Sequence, residues 1–461
     1  MKLILGGGIS GLSTAYYLSK KCPKELLTII EASDHIGGWI KSRKLPDGTI
    51  FEQGPRTLRP KGLPGANTLQ LIEDLNLSER IRPITMDHSA AKNRMIFANG
   101  ELHMLPSSLS SIFQLKKPFS RPLIVSLLFE GLQPSIAVSD ESIYNFTYRR
   151  FGPEVADYLI SPMICGICAG NAKEISVKFL MEPLFAKEQK YGSITKGFLK
   201  TLQDKKEELP KSDLLEKSTN EKWSIYSFKE GLEELPKALH QKALENGNNI
   251  VHNECTGIDF DDKIRLTFKS GDGLIGNHLF STIPAQKLSP LLTKQHPKLS
   301  ALLSNIETVS VGVVNLKFNK KLLKQEGFGF LVAPKENLPI LGVIYDSCCF
   351  PSGENTTITV MMGGHWFNKH FPAETKEEKF LEIALDQIRN ILDITEVPDA
   401  FKVNVLKDCI PQYNVGHSEN LENINAYIKE NNLRLSLCGS SYYGIGVNDV
   451  ILSAKNAVDK L

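Results

Sequence analysis

Cysteine is sparse, eight in 461 residues, and several (Cys255, Cys409, Cys438) stand inside apolar runs. That usage suits small buried hydrophobes in a reducing compartment and implies no disulfide framework. Cys165 and Cys168 form one CxxC, but no second pair or histidine pair accompanies it. No zinc set is complete, no metal is expected, and a tight, partly buried turn is the expectation there. Net charge is nearly absent: 54 Lys and Arg face 52 Asp and Glu for a formal +2. The basic residues are scattered, which argues against a nucleic-acid partner. Long apolar runs are missing as well. The best, Leu123 to Phe129, spans seven residues and contains Ser126, whereas a spanning helix needs about 18 to 20. The chain is expected to lie on a membrane at most, not to cross one. Gly6 stands so near Met1 that no cleaved secretory or transit segment is expected ahead of the first motif. Core-forming residues are in good supply, 41% of the chain, enough for two or three units at roughly 100 to 200 residues each.

Lys2 to Leu5 predicts a strand, the glycines after it a turn, the stretch to Leu18 a helix, and Leu26 to Ile30 a second strand closing at Glu31. Such β-α-β units build parallel sheets covered by helices. Arg80 to Leu105 is expected to be extended, with Asn99-Gly100 between Arg94–Phe97 and Leu102–Met104 as a hairpin turn. From about Pro106 to Phe198 the spacing turns helical, with Glu141 to Phe151 and Pro153 to Ile160 as examples. Lys200 to Lys222 is charged and poor in apolar anchors, so a solvated connection is expected. Beyond Trp223 strands and helices alternate. Gly231 to Leu244 reads as a helix, and Ile250 to Phe260, Ile264 to Phe268, Val309 to Phe318, Leu341 to Tyr345 and Thr357 to Met362 read as strands. The end reads as strand Arg434 to Cys438, a Gly-rich turn, and a helix from Val447.

Gly6-Gly7-Gly8-Ile9-Ser10-Gly11 follows a strand and opens a helix, with Glu31-Ala32 about twenty residues on. Gly6 permits the tight turn, Gly8 lets backbone approach a pyrophosphate, and Gly11 lets helix and sheet pack closely; the helix N-terminus faces the phosphates. A carboxylate at Glu31 suits two ribose hydroxyls and disfavours a 2'-phosphate, so FAD or NAD is expected rather than NADP.

With Ile36-Gly37-Gly38-Trp39 and Phe51-Glu52-Gln53-Gly54-Pro55-Arg56-Thr57 the chain resembles the flavin amine oxidase superfamily. In that superfamily many members carry Arg or Lys where Trp39 stands. Tyr226 to Pro236, Gly327 to Val332, Leu341 to Ser347, Ile410-Pro411-Gln412-Tyr413-x-x-Gly416-His417 and Tyr443 to Asp449 narrow the resemblance to the protoporphyrinogen oxidases, of the mitochondrial animal and fungal branch, over essentially the whole chain. It implies an α/β fold: a Rossmann-like FAD-binding domain, a mixed-sheet substrate domain and a mainly α-helical, membrane-contacting insert. The expected partition is 1–80, 223–270 and 406–461 for FAD, 81–105 and 271–405 for substrate, and 106–210 for the insert.

By resemblance, FAD lies against the Gly6–Gly11 loop, Glu31, Ala32, Trp39, Gly54, Pro55, Arg56 and Thr57, with the adenine near Cys255 and the isoalloxazine near Ile445, Gly446 and Val447. The last group also makes physical sense, because a Gly-rich turn before a helix offers N–H groups to an electron-rich reduced flavin; a plain strand-to-helix turn is the alternative. FAD is expected to be non-covalent, since Cys438 lies in the preceding strand and the turn carries Ser440, Ser441, Tyr442 and Tyr443.

A porphyrinogen is a large apolar macrocycle with two propionates, so its pocket should be apolar with one or two cations. The resemblance places Arg94 at a propionate and Phe328, Leu331, Ile344, Met361, Gly166 and Ala169 on the walls. Arg94 reads equally as a solvated strand-end arginine, and Phe328 or Leu331 as core. Some animal relatives have an arginine where Cys165 stands. No Ser-His-Asp set or paired carboxylates stand out, and His417 reads as a hydrogen-bonded structural residue as readily as a functional one. No side chain is therefore assigned as catalytic: the implied chemistry is hydride loss from a meso carbon to flavin N5, with molecular oxygen as oxidant, in which the protein positions its substrate. Phe113 to Phe129 interleaves Lys116, Lys117 and Arg121 with apolar residues, suiting an interfacial segment or a core helix with a basic end. The resemblance favours a membrane surface, peripheral on the mitochondrial inner membrane, with bacterial cytoplasm as the alternative. A homodimer and product hand-off to a ferrochelatase stand as partner expectations. The rival readings are an amine oxidase or carotenoid desaturase on the same fold, and a flavin-free prenylated-GTPase chaperone.

Overall fold

A computed structural model describes residues 1–201 and 208–461. Its first sheet is parallel, in the order Leu435–Leu437, His278–Ser281, Lys2–Leu5, Leu27–Glu31, Asn249–His252. The two faces of this sheet are apolar because successive strand residues alternate sides. Ile4, Ile29 and Phe280 pack under the helices Ile9–Lys21, Glu234–Glu245 and Val447–Asp459. Leu3, Leu5, Ile30 and Leu279 pack against the antiparallel strands Cys255–Phe260 and Ile264–Phe268 and the helices Ala285–Leu292, Pro297–Ser304 and His417–Glu430. Lys2–Leu5 sits where the strand order reverses, so the crevice for a ligand opens at its carboxyl end.

The second sheet has seven strands in the order Ala400–Pro411, Thr308–Phe318, Thr356–Gly364, Ile340–Ile344, Gly329–Val332, Arg94–Ala98, Glu101–Met104. It is mixed: Gly329–Val332 and Arg94–Ala98 run parallel and the other neighbours antiparallel. The hairpin at its end turns through Asn99 (φ 55°) and Gly100 (φ 76°), the left-handed pair that a two-residue turn requires. Helix Glu377–Leu392 covers one face through Phe380, Ala384 and Ile388. On the other face Cys165 and Ala169, from the helix Ser161–Cys168 and its cap, meet Val311, Val313 and Leu341.

Several expectations are corrected. His278–Ser281, assigned to the substrate unit, completes the parallel sheet, because its Leu279 and Phe280 are needed on that sheet's two faces. Ala400–Pro411 runs unbroken across the expected boundary at 405/406. Ile81–Thr85 pairs with Trp223–Phe228 rather than joining the seven-stranded sheet, and Ser89–Lys92 is a helical turn inside a stretch expected to be extended. Ile250–Phe260 is two strands in different sheets, parted where Asn253 N–H donates to the Glu31 carbonyl. Of the expected solvated connection, 202–207 lie outside the described residues, and Asp213–Asn220 is a helix anchored by buried Leu214. Cys165 and Cys168 occupy a helix rather than a turn, the turn coming after them at left-handed Ala169.

Candidate functional site

The glycine loop is built for a ligand at one position and for packing at the others. A Cβ at Gly11 would lie 1.9 Å from the Gly6 carbonyl oxygen, and one at Gly6 (φ +111°) would lie 2.5 Å from Thr282 Oγ1. Gly8 differs, since its Cβ would meet only Gly38 Cα at 3.7 Å. Helix Ile9–Lys21 has Gly8 at its N-cap and no side chain capping it, so orphan N–H groups point into a cradle free of side chains. Gly37 N–H donates to the Gly7 carbonyl at 2.9 Å, Gly7 N–H to Glu31 Oε2 at 2.8 Å, and Ser33 N–H and Oγ–H to Glu31 Oε1 at 3.0 and 2.8 Å. These bonds fix Glu31 at the end of its strand beside the cradle. A pyrophosphate and a ribose diol fit this donor and acceptor set. Cys255 packs, half-buried, against the cluster containing Leu5 and Ile30 at the same sheet edge. Ala32 is exposed and Trp39 is 43% exposed. Trp39 contributes backbone, for a Cβ at Gly54 would lie 2.3 Å from its carbonyl oxygen.

Past Gly54-Pro55 the chain carries Arg56 into the junction of the two sheets. Arg56 Nη1 donates to Asp346 Oδ1 at 2.6 Å, its Nη2 lies 3.8 Å from the Met361 sulfur, and Thr359 Oγ–H donates to Asp346 Oδ2 at 2.7 Å. A cleft opens here, lined among others by Glu52, Arg56, Thr57, Phe328, Ile344 and Asp346. Burial pushes the Asp346 carboxyl up, with Arg56 and Thr359 pulling the other way. Burial likewise pushes Glu52 up to about 7, against bonds from Ser42 Oγ–H (2.6 Å) and Leu232 N–H (2.7 Å). A raised carboxyl is protonated without penalty below its unfolded value and is charged, at a cost, above its folded one. Glu52→Gln is therefore expected to stabilise the protein at pH 8.5, by at most about 3 kcal/mol for a shift of this size, and to have little effect at pH 5; paired thermal melts at the two pH values check this.

The residues expected on the substrate side cluster along the end of the seven-stranded sheet. Gly329 faces Arg94 on one neighbour and Ile344 on the other, Leu331 faces Gly342, and Gly342 faces Met361. A Cβ at Gly166 would lie 2.9 Å from Leu331 Cδ2, and the Ala169 carbonyl accepts His365 N–H at 2.8 Å. The Arg94 guanidinium lies 5.5 Å from the centre of the Phe328 ring. No carboxylate stands within ion-pair distance of it among the described residues, and Arg59 is a further positive neighbour. Arg56, Thr57, Phe328 and Ile344 thus share one cleft, while Gly166, Ala169, Leu331 and Met361 form an apolar wall beside it.

The C-terminal turn closes the same region. Gly439 stands against Ser10, with 3.3 Å from its would-be Cβ to Oγ, and Asn448 donates to the Arg59 carbonyl at 2.8 Å. Ile445, Gly446 and Val447 therefore sit between the glycine loop and the Arg56 segment, with Gly446 at the N-cap of Val447–Asp459. His417 is structural: it is buried against Phe179 and Tyr413, and burial keeps its imidazole neutral, down to about 4. Cys165 and Cys168 are free and buried, each thiol pushed up to about 12, so neither offers a ready thiolate. Sequence reasoning assigned no role to Asp346 or Glu52. Asp346 lay inside a motif, but its partner is 290 residues away and no local pattern announces it.

A cradle for a dinucleotide joined to a partly apolar cleft, with a guanidinium unpaired among the described residues at its Phe328 edge, suits a flavin-dependent oxidoreductase. Residues 9–461 match the family described as flavin containing amine oxidoreductase, and the chain belongs to that family. Within it, the chain is 37% identical over 464 residues to the protoporphyrinogen oxidase of Homo sapiens (99% of this chain, 97% of that one) and 33% identical over 485 to that of Schizosaccharomyces pombe (99% and 98%). A solved structure from Exiguobacterium sp. 255-15 has the same fold, with a TM-score of 0.80 at 24% identity over 100% of this chain and 98% of that one.

Proposed function

We propose that this chain oxidises protoporphyrinogen IX to protoporphyrin IX, using FAD and molecular oxygen and releasing hydrogen peroxide. One observation carries the reading beyond the family: the Arg94 guanidinium, with no carboxylate in ion-pair range among the described residues, stands over Phe328, which lines a cleft that reaches Arg56 and Thr57 of the dinucleotide half. An apolar macrocycle with peripheral carboxylates matches that combination. Gly6 to Gly11 and Glu31 hold the pyrophosphate and ribose, and Gly54 to Thr57 with Ile445 to Val447 hold the flavin ring. When bound, FAD accepts hydride equivalents and passes them to oxygen. The protein's own part is placement: Arg94 binds a propionate, and Phe328, Ile344, Leu331, Met361, Gly166 and Ala169 exclude water around the macrocycle. No side chain acts as a strong base in this reading.

The helical insert fits a peripheral membrane contact, on the mitochondrial inner membrane by likeness to the animal and fungal relatives. Phe113, Leu115, Leu127, Leu128 and Phe129 are exposed beside Lys116, Lys117 and Arg121, while Ser126 and Glu130 turn inward. No helix among the described residues is long and apolar enough to cross a bilayer.

The test is aerobic turnover of freshly reduced protoporphyrinogen IX, followed as porphyrin fluorescence. Wild type is expected to exceed spontaneous oxidation clearly. Arg94→Ala is expected to lose about 10- to 100-fold in kcat/KM, a hydrogen bond to a charged group being worth about 1.5–3 kcal/mol. A flavin-loaded wild type no faster than the uncatalysed reaction would sink the reading.

A further inference from the structure

The Ile410–His417 stretch starts on the apolar wall, where Ile410 packs against the cluster of Cys165 and Ala169, and it holds two adjacent side chains with defined partners. At the end of strand Ala400–Pro411, Gln412 and Tyr413 point opposite ways, as adjacent residues of an extended chain do. The Gln412 amide donates to the Cys168 carbonyl at 3.0 Å, just ahead of Ala169 on the substrate-side wall. The Tyr413 hydroxyl reaches the C-terminal turn, donating to the Ser440 carbonyl and accepting Gly444 N–H at 3.0 Å. One oxygen atom thus closes both ends of the 440–444 segment.

Other contacts hold the middle of that turn, with Ser441 Oγ accepting Ala285 N–H at 3.0 Å and the Tyr443 hydroxyl accepting from the Asn425 amide at 3.1 Å, while the Gly444 N–H goes to Tyr413. Gly444, at φ +138°, has space for no Cβ, which would lie 2.4 Å from Asp449 Cβ. Nearby, the Tyr442 carbonyl meets His417 Nε2 at 3.4 Å. The Tyr413 ring is held by Phe179 and His417, at centroid distances of 4.5 Å each. Burial holds the phenol far above its ordinary titration range, so the group remains a donor at working pH. The backbone it clamps runs directly into Ile445 and Gly446, at the carboxyl end of the parallel sheet beside the glycine loop.

We infer that Tyr413 is a positioning residue whose hydroxyl sets the backbone geometry of the flavin-facing turn at Gly444–Gly446, while Gln412 beside it ties the same strand end to the substrate-side wall. The inference rests on the functional reading above, because it takes this turn to face the flavin. A buried, doubly bonded phenol fixes where the turn's N–H groups aim, and donors near the pyrimidine end favour the reduced, more negative ring.

The test is Tyr413→Phe, which keeps the ring between Phe179 and His417 and removes one oxygen. In the flavin-free protein, amide hydrogen exchange over 440–446 is expected to speed up several-fold, with exchange in Thr308–Phe318 unchanged. In the flavin-loaded protein the preference for reduced over oxidised flavin is expected to fall about fivefold, a shift of about 20 mV for a two-electron couple. Phe179→Leu, which loosens the packing and leaves the hydroxyl, is expected to lower Tm with the potential unmoved. If Tyr413→Phe fails to fold, 3-fluorotyrosine at position 413 keeps the shape and alters the phenol's donor strength, and the potential is again expected to move. Unchanged exchange at 440–446 and an unchanged potential in whichever variant folds overturn the inference. A wild type that binds no flavin sinks instead the functional reading on which it rests.

Discussion

Glu130→Ala is expected to destabilise the helical insert by about 3–5 kcal/mol, the range for removing one partner of a buried ion pair. Glu130 and Arg150 are both fully buried. The Glu130 carboxylate accepts from the Arg150 guanidinium, from Ser193 Oγ–H at 2.8 Å, and from Ile194 N–H (2.8 Å), Thr195 N–H (3.1 Å) and Thr195 Oγ–H (2.7 Å). It therefore caps, from a distant helix, the orphan donors at the start of Ile194–Thr201. Alanine strands those donors and leaves the guanidinium only the backbone carbonyls of residues 130, 133 and 134 and the longer contact to the buried Glu188 carboxylate at 3.8 Å. Glu130→Leu combined with Arg150→Met should recover much of the loss, since the charge to be solvated is gone.

The same variant tests the proposed membrane contact. Glu130 ends the helix carrying exposed Leu127, Leu128 and Phe129, and the helix it caps carries exposed Phe198 and Leu199. The alanine variant is expected to sediment less with anionic vesicles and to be cleaved faster by protease within 123–201, while the parallel sheet stays protected. The pH dependence has a definite sign. Burial alone would raise Glu130, but Arg150, Thr195 and the Ile194 N–H outweigh it and hold the carboxyl at about 2. The stabilisation is present above the ordinary glutamate range and is lost as pH falls towards 2, so wild type and variant should converge only in strong acid. A variant as stable as wild type at pH 7 would mean that water reaches Arg150 in the folded protein.

What could be read from the sequence was local. The first β-α-β unit, the Asn99-Gly100 turn and the strand-turn-helix at the C-terminus each carry their signal within a few residues: a glycine spacing, a left-handed pair, a change of hydrophobic period. Features set by distant partners carried none. His278–Ser281 could not be assigned to the parallel sheet from its four residues, since its neighbours are Lys2–Leu5 and Leu435–Leu437. Asp213–Asn220 is polar enough to pass for a linker, and buried Leu214, with Leu215 packed against the same cluster, makes it a helix of the core. The Arg56–Asp346 contact and the Glu130 cap join elements that pattern alone cannot bring together. At the site, sequence reasoning singled out motif residues and passed over carboxylates that bond to them: Asp346 on Arg56, and Asp449, which accepts Gly446 N–H.

The glycine loop allows the ligand and the fold to be separated by experiment, because its glycines have different reasons for being there. Gly8→Ala adds a methyl group to open space, 3.7 Å from the nearest backbone atom. Its cost to the flavin-free protein should be no more than about 1 kcal/mol, the penalty of Ala relative to a favoured N-cap residue. Flavin binding is another matter: the methyl projects into the cradle where orphan N–H groups must reach a pyrophosphate, so affinity is expected to fall at least about 100-fold, equivalent to about 2.7 kcal/mol. Gly11→Ala should behave the opposite way. Its methyl would fall 1.9 Å from the Gly6 carbonyl oxygen, so helix Ile9–Lys21 must back away from the sheet whether or not flavin is present, at about 1–3 kcal/mol or more for an overpacked contact. Thermal melts of the flavin-free variants, set beside flavin titration followed by fluorescence quenching, distinguish the two. If Gly8→Ala binds flavin as wild type does, the pyrophosphate does not lie over Gly8. If it melts early without flavin, the cradle is part of the packed core and Gly8 is there for the fold.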